Sequence, residues 1–197
     1  MKGETDLARL TSTFTYADAR RAGISDRRLA ALREQGWIDQ IGRGLYRRLD
    51  TEAADADPDL LEISRRAPRA TICLATALAR HNLIDLIPAR IDIALPRGQR
   101  HPRTAAPASW HSFATDTFSI GRNQLNLTPQ NTIGIYNPER CLIDAFRLRH
   151  REGSDLAAEA LRRWLRRPGS TPASLITMAR SFPTAEPSLR NALEILL

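Results

Sequence analysis

The sequence has almost no lysine: Lys2 is the only one among 29 lysine and arginine residues in a chain of 197. Metal-dependent nucleases of the restriction type need clustered carboxylates and typically a lysine beside them. Asp85 and Asp92 are the only acids between residues 63 and 110, and no lysine accompanies them. The sequence therefore argues against nuclease chemistry.

Cysteine is also scarce. Cys73 and Cys141 lie far apart in apolar surroundings, so we expect two buried thiols and no disulfide framework. No run approaches the roughly 18 apolar residues of a membrane span, and the N-terminus lacks the apolar stretch of a signal peptide. The sequence therefore predicts a cytoplasmic protein that is not bound to a membrane.

The histidines give no sign of a metal centre. His81, His101, His111 and His150 are not paired with one another or with a cysteine at metal-ligand spacing. A phosphate-binding glycine loop and a nucleophile elbow are also missing from the sequence. We therefore expect no metal, no cofactor and no enzymatic activity.

Positive charge is what the chain has in excess. Its net charge of +7 and pI near 10.5 indicate a polyanionic or acidic partner. Residues 50–62 interrupt this pattern with six acids and no base. Because such a stretch is typical of a linker, we place a boundary near residue 52, between an N-terminal domain at 1–51 and a C-terminal domain at 52–197.

The first domain has the pattern of a helix-turn-helix. Thr15 and Asp18 form a capping box that begins a short helix, and Gly23 suits the turn that follows. Ser25 then caps a second helix, which Gly36 closes. A helix at 25–35 is therefore the predicted recognition helix.

A β-hairpin follows the second helix. Residues 37–48 alternate as strands on either side of the turn 42–44, which carries Arg43 at its tip. Two helices and such a hairpin make a winged helix-turn-helix, the geometry that a groove-reading DNA binder needs.

Arginine is concentrated in this motif. Between Arg20 and Arg48 there are eight arginines against three acids, an excess that phosphate neutralisation needs and protein docking does not. Arg27 and Arg28 lie in the first turn of the second helix, where either could make a bidentate contact to guanine. The candidate DNA-binding residues are Thr15, Tyr16, Ser25, Arg27, Arg28, Ala31, Arg43 and Arg47.

The candidates outside the second helix have different expected roles. Thr15 and Tyr16 begin the first helix, whose free backbone amides favour a phosphate. Arg43 is expected in the minor groove or on the flanking backbone. A second basic segment, with Arg97, Arg100 and Arg103, predicts a further phosphate contact, a site for an acidic partner, or only an exposed loop.

The rest of the chain predicts a mixed α/β domain with a small sheet and C-terminal helices, so the fold class is α+β. Helical periodicity is expected at 58–66, 70–80, about 154–166, 172–181 and 187–197. Strand patterns occupy Ile91–Leu95, Trp110–Phe113, Phe118–Ile120, Gln124–Leu127 and Thr132–Tyr136, with 121–123 as a hairpin turn.

A further helix is predicted to start after Asn137, with Asn137 as its cap and Pro138 at its first position. We expect this helix to have an apolar face and a basic face that includes Arg140. Asp144, within the apolar stretch of the same helix, is expected to make structural hydrogen bonds.

The chain resembles the AbiEi-type antitoxins of bacterial type IV toxin–antitoxin, or abortive-infection, systems. The resemblance is carried by FTYADARRAGIS at 14–25, GWIDQIGRGLYR at 36–47, ATALARHNL at 75–83, IDIALP at 91–96, NPERCLIDAFR at 137–147 and EALRRWL at 159–165. It covers almost the full length, and its N-terminal motif is the most specific.

This resemblance implies a transcriptional autorepressor that binds inverted repeats in its own promoter. It also implies that the C-terminal domain contributes to neutralising a nucleotidyltransferase-type toxin, directly or indirectly. Carried onto this chain, Ser25, Arg27 and Arg28 lie at the start of the recognition helix and Arg43 lies in the wing. Two alternatives stay open: a winged helix that docks a protein partner, and, less favoured, a winged helix fused to a nuclease.

Overall fold

The predicted helix-turn-helix is present, and both helices begin where their caps predict. In the computed structural model, which describes residues 7–152 and 154–197, α1 covers Tyr16–Arg21 and α2 covers Asp26–Glu34. The side-chain oxygens of Thr15 and Ser25 each accept a hydrogen bond from the backbone N–H three residues later. Gly23, with φ of +83°, makes the turn between the helices.

A three-stranded sheet with the order β1-β3-β2 completes this part of the chain. β2 (Ile38–Gly42) and β3 (Leu45–Arg48) form the predicted antiparallel hairpin. β1 (Thr13–Thr15) pairs with β3 just before α1 begins. The sequence did not predict β1, because three residues are too few to display the alternation that identifies a strand.

One apolar cluster holds the two helices against the hairpin. Phe14, Leu32 and Ile38 are almost completely buried in it. The rings of Phe14 and Tyr46 stack with their centroids 5.6 Å apart. Because Leu29 and Leu32 both face this cluster, the opposite face of α2 is exposed to solvent.

The second sheet has five strands in the order β6-β5-β4-β8-β7. Its strands are β4 (Thr71–Ile72), β5 (Ile91–Pro96), β6 (Ala108–Phe113), β7 (Arg122–Thr128) and β8 (Asn131–Tyr136). β4 is antiparallel to β5 and parallel to β8, and β5 is parallel to β6. The α+β fold class predicted from the sequence is confirmed.

The helices around this sheet agree closely with the prediction, except that the short helix Arg149–Glu152 was not predicted as a separate helix. They are α3 (Pro58–Arg66), α4 (Leu74–Arg80), α5 (Pro138–Arg147), α6 (Arg149–Glu152), α7 (Ser154–Leu165), α8 (Pro172–Ala179) and α9 (Glu186–Leu196). The helix predicted at 70–80 is wrong in its first part. Thr71 and Ile72 pair with strands on both sides as β4, so the helix begins only at Leu74.

The strand predicted at Phe118–Ile120 is wrong. The carbonyl groups of Thr117 and Ile120 accept hydrogen bonds from Nη1 of Arg140, at 2.7 and 2.8 Å, and the carbonyl of Phe118 accepts one from the Tyr136 hydroxyl at 2.9 Å. Side chains therefore satisfy this backbone in place of a neighbouring strand. The hairpin turn predicted at 121–123 is also wrong, because β7 begins at residue 122 and the turn lies between β7 and β8.

Arg140 does not lie on a basic surface of α5, as predicted, but is fully buried. Its guanidinium carbon lies 4.3 Å from the ring centroids of Tyr136 and Phe182. Its Nε donates a 2.9 Å hydrogen bond to Asp144, which confirms the structural role predicted for that carboxylate. Cys73 and Cys141 are both buried thiols, as predicted.

The chain divides into two compact units. The first contains residues up to Pro68 together with Pro102–Pro107 and Leu125–Ile133, and the second contains Arg69–His101, Ala108–Gln124 and Gly134–Leu197. The first unit, which we call the winged-helix unit, thus includes two segments that are far downstream in sequence. The boundary near residue 52 stays a prediction, and residues 1–6 of the predicted domain 1–51 lie outside the described residues.

Candidate nucleic-acid interface

Thr15 and Tyr16 begin α1, but their hydroxyl groups are already bonded within the protein. The Thr15 hydroxyl accepts from the Asp18 backbone N–H at 3.1 Å and donates to the Asp18 carboxylate at 2.7 Å. The Thr15 backbone N–H donates to the same carboxylate, and this bond is the main reason that the pKa of Asp18 is lowered from its usual value. Tyr16 is 41% exposed, and its hydroxyl donates to Asp26.

The first turn of α2 presents a free guanidinium. Arg27 is exposed, and within residues 7–152 and 154–197 its side chain has no hydrogen-bond or ionic partner. Arg28 is half-buried, and its backbone N–H donates to the Ser25 hydroxyl at 3.2 Å. Ala31 follows one turn later and is half-buried. Because Arg27 has no internal bond to break, it is the side chain of this turn that is most readily available to an anion or a base edge.

The wing, which is the hairpin of β2 and β3, also presents a free guanidinium at its tip. Arg43 lies between β2 and β3, is exposed, and has no side-chain partner in the described part of the chain. Gly44, with φ of +65°, allows the tight turn beside it. The backbone carbonyl of Arg43 accepts a 2.7 Å hydrogen bond from Nη2 of Arg66 in α3. The backbone of the tip is therefore held in place while its side chain stays available.

Arg47 and Arg48, in contrast, are bonded within the protein. Arg47 donates to the Asp39 carboxylate at 3.1 and 3.3 Å and to the carbonyl groups of three alanines between residues 53 and 56 at 3.0 to 3.3 Å. Arg48 pairs with Asp50 and lowers the pKa of that carboxyl from its usual value. A contact of Arg47 with DNA stays a prediction, although its donors already stabilise the end of the hairpin.

Sequence reasoning missed a polar link between α2 and the wing. Nη1 of Arg33 donates to the side-chain carbonyl of Gln40 at 3.0 Å, and the amide nitrogen of Gln40 donates to the Gly42 carbonyl at 3.2 Å. Arg33 and Gln40 are both exposed. The one local indication was the position of Arg33 in the last turn of α2, from which a long side chain reaches the adjacent strand.

The arginines of the second basic segment fall in different units. Arg97 and Arg100 belong to the second unit, whereas Arg103 belongs to the winged-helix unit. All three are exposed, and none has a side-chain partner among the described residues. The structure therefore brings Arg103, and neither of the other two, into the unit that contains α2 and the wing.

Residues 4–48 match the sequence profile of a family described as a transcriptional regulator, AbiEi antitoxin. This segment is similar to the AbiEi antitoxin family. The AbiEi-type segment contains α1, α2, the wing and the candidate residues Arg27 and Arg43. The resemblance seen in the sequence is thus confirmed over residues 4–48, and the matching family is described as one of transcriptional regulators.

The comparison of folds extends beyond the AbiEi-type segment. The crystal structure of the RV2827C protein from Mycobacterium tuberculosis matches this fold with a TM-score of 0.55 and 19% sequence identity. The match covers 100% of this chain and 81% of that protein. At this identity the likeness shows the fold alone. No curated protein matches the chain.

Two further features are absent from residues 7–152 and 154–197. No helix there is both long enough and apolar enough to cross a membrane. No group of three or more histidine, cysteine, aspartate or glutamate side chains there could hold a metal ion.

Proposed function

We propose that this protein is a DNA-binding autorepressor that recognises inverted repeats in its own promoter through α2 and the wing. The observation that carries this proposal is the pair of free guanidinium groups at Arg27 and Arg43, one in the first turn of α2 and one at the wing tip. A winged helix needs charges at these two places to bind a groove and the adjacent backbone. The match of residues 4–48 to a family of transcriptional regulators supports the same role.

In this proposal α2 reads the sequence and the wing anchors the domain. Arg27 reaches a base edge, where a bidentate contact to guanine gives about 1–3 kcal/mol of discrimination. Arg28 and Ala31 on the same helix, and Ser25 at its N-cap, fill the groove beside Arg27. Arg43 takes a phosphate or lies in the minor groove, a contact that fixes orientation.

The protein also acts, in the cytoplasm, as the antitoxin to a nucleotidyltransferase-type toxin. The match of residues 4–48 to the AbiEi antitoxin family supports this role. The toxin is neutralised by the protein directly, or its production is limited by repression of the shared operon. Co-expression with a neighbouring nucleotidyltransferase-like reading frame tests the role: growth must be rescued by the wild-type protein and not by an empty vector.

The DNA-binding part is tested with the duplex upstream of the gene. Wild-type protein is expected to bind this duplex much more tightly than a scrambled duplex of equal length, with an affinity that falls steeply as salt rises. The double substitution Arg27→Ala/Arg28→Ala is expected to abolish the preference for the upstream duplex. Equal, weak binding to both duplexes would contradict the proposal and favour the rival function, a winged helix that docks a protein.

A further inference from the structure

The carboxylate of Glu62 lies completely buried between the wing and a loop from a distant part of the chain. Glu62 is in α3 and has no exposed surface. Its Oε2 accepts hydrogen bonds from the backbone N–H groups of Ala105 and Ala106, at 2.8 and 2.9 Å. Its Oε1 accepts a 3.0 Å hydrogen bond from Nε of Arg66. Both oxygens are therefore bonded, as a buried carboxylate requires.

The same carboxylate contacts the wing. A Cβ added to Gly42 would lie 2.2 Å from Oε1 of Glu62, so only glycine lets the end of β2 approach this closely. Arg66, bonded to Glu62 through Nε, uses Nη2 to bind the carbonyl of Arg43 at the tip. One buried glutamate thus joins α3, the wing and residues 102–107, which we call the 102–107 loop.

The 102–107 loop carries a free cation next to this junction. Arg103 is exposed and has no side-chain partner in the described ranges, and it lies two residues before Ala105. Arg43 is equally free and directly follows Gly42. The two segments that meet at Glu62 therefore each carry an available guanidinium group.

We propose that the 102–107 loop is a third DNA-contacting element, in which Arg103 binds a backbone phosphate beside the site of Arg43. Glu62 and Arg66 are positioning residues that hold the wing tip and the loop together. The proposal rests on the DNA binding proposed above. It assigns the second basic contact to Arg103 and not to Arg97, which belongs to the other compact unit. Phosphate contacts of this kind add affinity and orientation without sequence preference.

The proposal is tested with the upstream duplex in a salt series, using wild-type protein, Arg103→Ala and Arg97→Ala. Each phosphate contact contributes about 0.9 to the slope of log affinity against log salt, so Arg103→Ala is expected to reduce that slope by about 0.9. Arg97→Ala, which removes an exposed arginine six residues earlier, is the matched control and is expected to keep the wild-type slope.

The outcomes separate this proposal from the one on which it rests. A wild-type slope for Arg103→Ala, beside a reduced slope for Arg43→Ala, would overturn the role of the loop and leave DNA binding intact. Equal losses from Arg97→Ala and Arg103→Ala would also overturn it. If the wild-type protein did not distinguish the upstream from the scrambled duplex, both proposals would fail.

The positioning role has its own test, a double-mutant cycle between Arg66→Ala and Arg43→Ala. Arg66→Ala leaves the two backbone bonds of Glu62 in place, so the unit is expected to stay folded, which circular dichroism checks. If Arg66 acts by placing the wing tip, its substitution weakens duplex binding in the wild-type protein and has little effect once Arg43 is alanine. Fully additive losses would overturn this role and identify Arg66 as an independent contact.

Discussion

The phenolic hydroxyl of Tyr16 donates a 2.6 Å hydrogen bond to a carboxylate oxygen of Asp26 and so joins the first turn of α1 to the first turn of α2. This bond, with the negative charge of Asp26, raises the pKa of Tyr16 above its usual value of 10.0. The folded protein therefore holds the phenolic proton to a higher pH than the unfolded chain does. The stability from this link is complete below the unfolded pKa and is lost as the pH rises through the raised, folded pKa.

We expect Asp26→Asn to bring the pKa of Tyr16 back toward its usual value, because the substitution removes both the charge and the strongest acceptor. Titration of tyrosinate absorbance measures this, with the signal of Tyr16 obtained by difference from Tyr16→Phe. Tyr46→Phe is the control, since most of the shift must persist when only the Tyr46 hydroxyl is removed. An unchanged Tyr16 titration in Asp26→Asn would contradict the assignment.

Replacing Arg27 and replacing Arg43 are expected to weaken DNA binding in different ways. Arg27→Ala should cost about 1–3 kcal/mol on the upstream duplex and relax the preference at one base pair, because a base-edge contact carries sequence information. Arg43→Ala should weaken binding to upstream and scrambled duplexes alike and lower the salt slope by about 1. Competition with duplexes that carry single base-pair changes distinguishes the two patterns. A uniform loss from Arg27→Ala would exclude a role in reading sequence.

Arg47 is expected to contribute to the stability of the folded protein. Its side chain is 14% exposed and bonded to Asp39 and to three backbone carbonyls near the end of the hairpin. Arg47→Ala leaves these acceptors without a charged donor, so we expect the free energy of unfolding to fall by about 2 kcal/mol. Urea denaturation measures this loss. Arg43→Ala is the matched control and should change the free energy of unfolding by no more than about 0.5 kcal/mol; equal stability of the two variants would contradict the prediction.

The buried pair of Arg140 and Asp144 gives the largest expected loss of stability. Arg140→Met keeps much of the volume between Tyr136 and Phe182 but removes the fully buried one of the two arginines that pair with Asp144, and leaves only Arg147. Breaking such a pair on one side costs about 3–5 kcal/mol. The urea midpoint of Arg140→Met should therefore fall far below that of Arg162→Ala, an exposed substitution on α7. A midpoint close to the wild-type value would show that the pair contributes little.

The sequence predicted the elements whose determinants are local. Thr15, Ser25 and Asn137 each cap a helix through a hydrogen bond to a backbone N–H three residues later, so the atoms that fix the helix start are adjacent in the chain. The hairpin around Arg43 is equally local. In contrast, β1 and β4 have three and two residues and exist only because strands elsewhere pair with them.

Sequence also identified the candidate surface, because the positions of Arg27 and Arg43 follow from the helix cap and the turn. The sequence did not show which arginines are bonded within the fold and which are available to a ligand. Arg140, Arg47 and Arg43 look alike in the sequence, yet one is buried between aromatic rings, one binds backbone carbonyls and one is free in solvent. The position of a guanidinium group depends on the acceptors and aromatic rings that surround it in the fold, and no local sequence pattern records them.

The sequence by itself thus determined the helix starts, the wing and the excess of positive charge, since each depends on neighbouring residues or on composition alone. Only the tertiary structure decided that the 102–107 loop belongs to the winged-helix unit and that Arg103 therefore lies in the same unit as Arg43. The physical reason is the buried Glu62 carboxylate, which needs hydrogen-bond donors and receives them from the backbone N–H groups of Ala105 and Ala106, some 40 residues downstream in the chain.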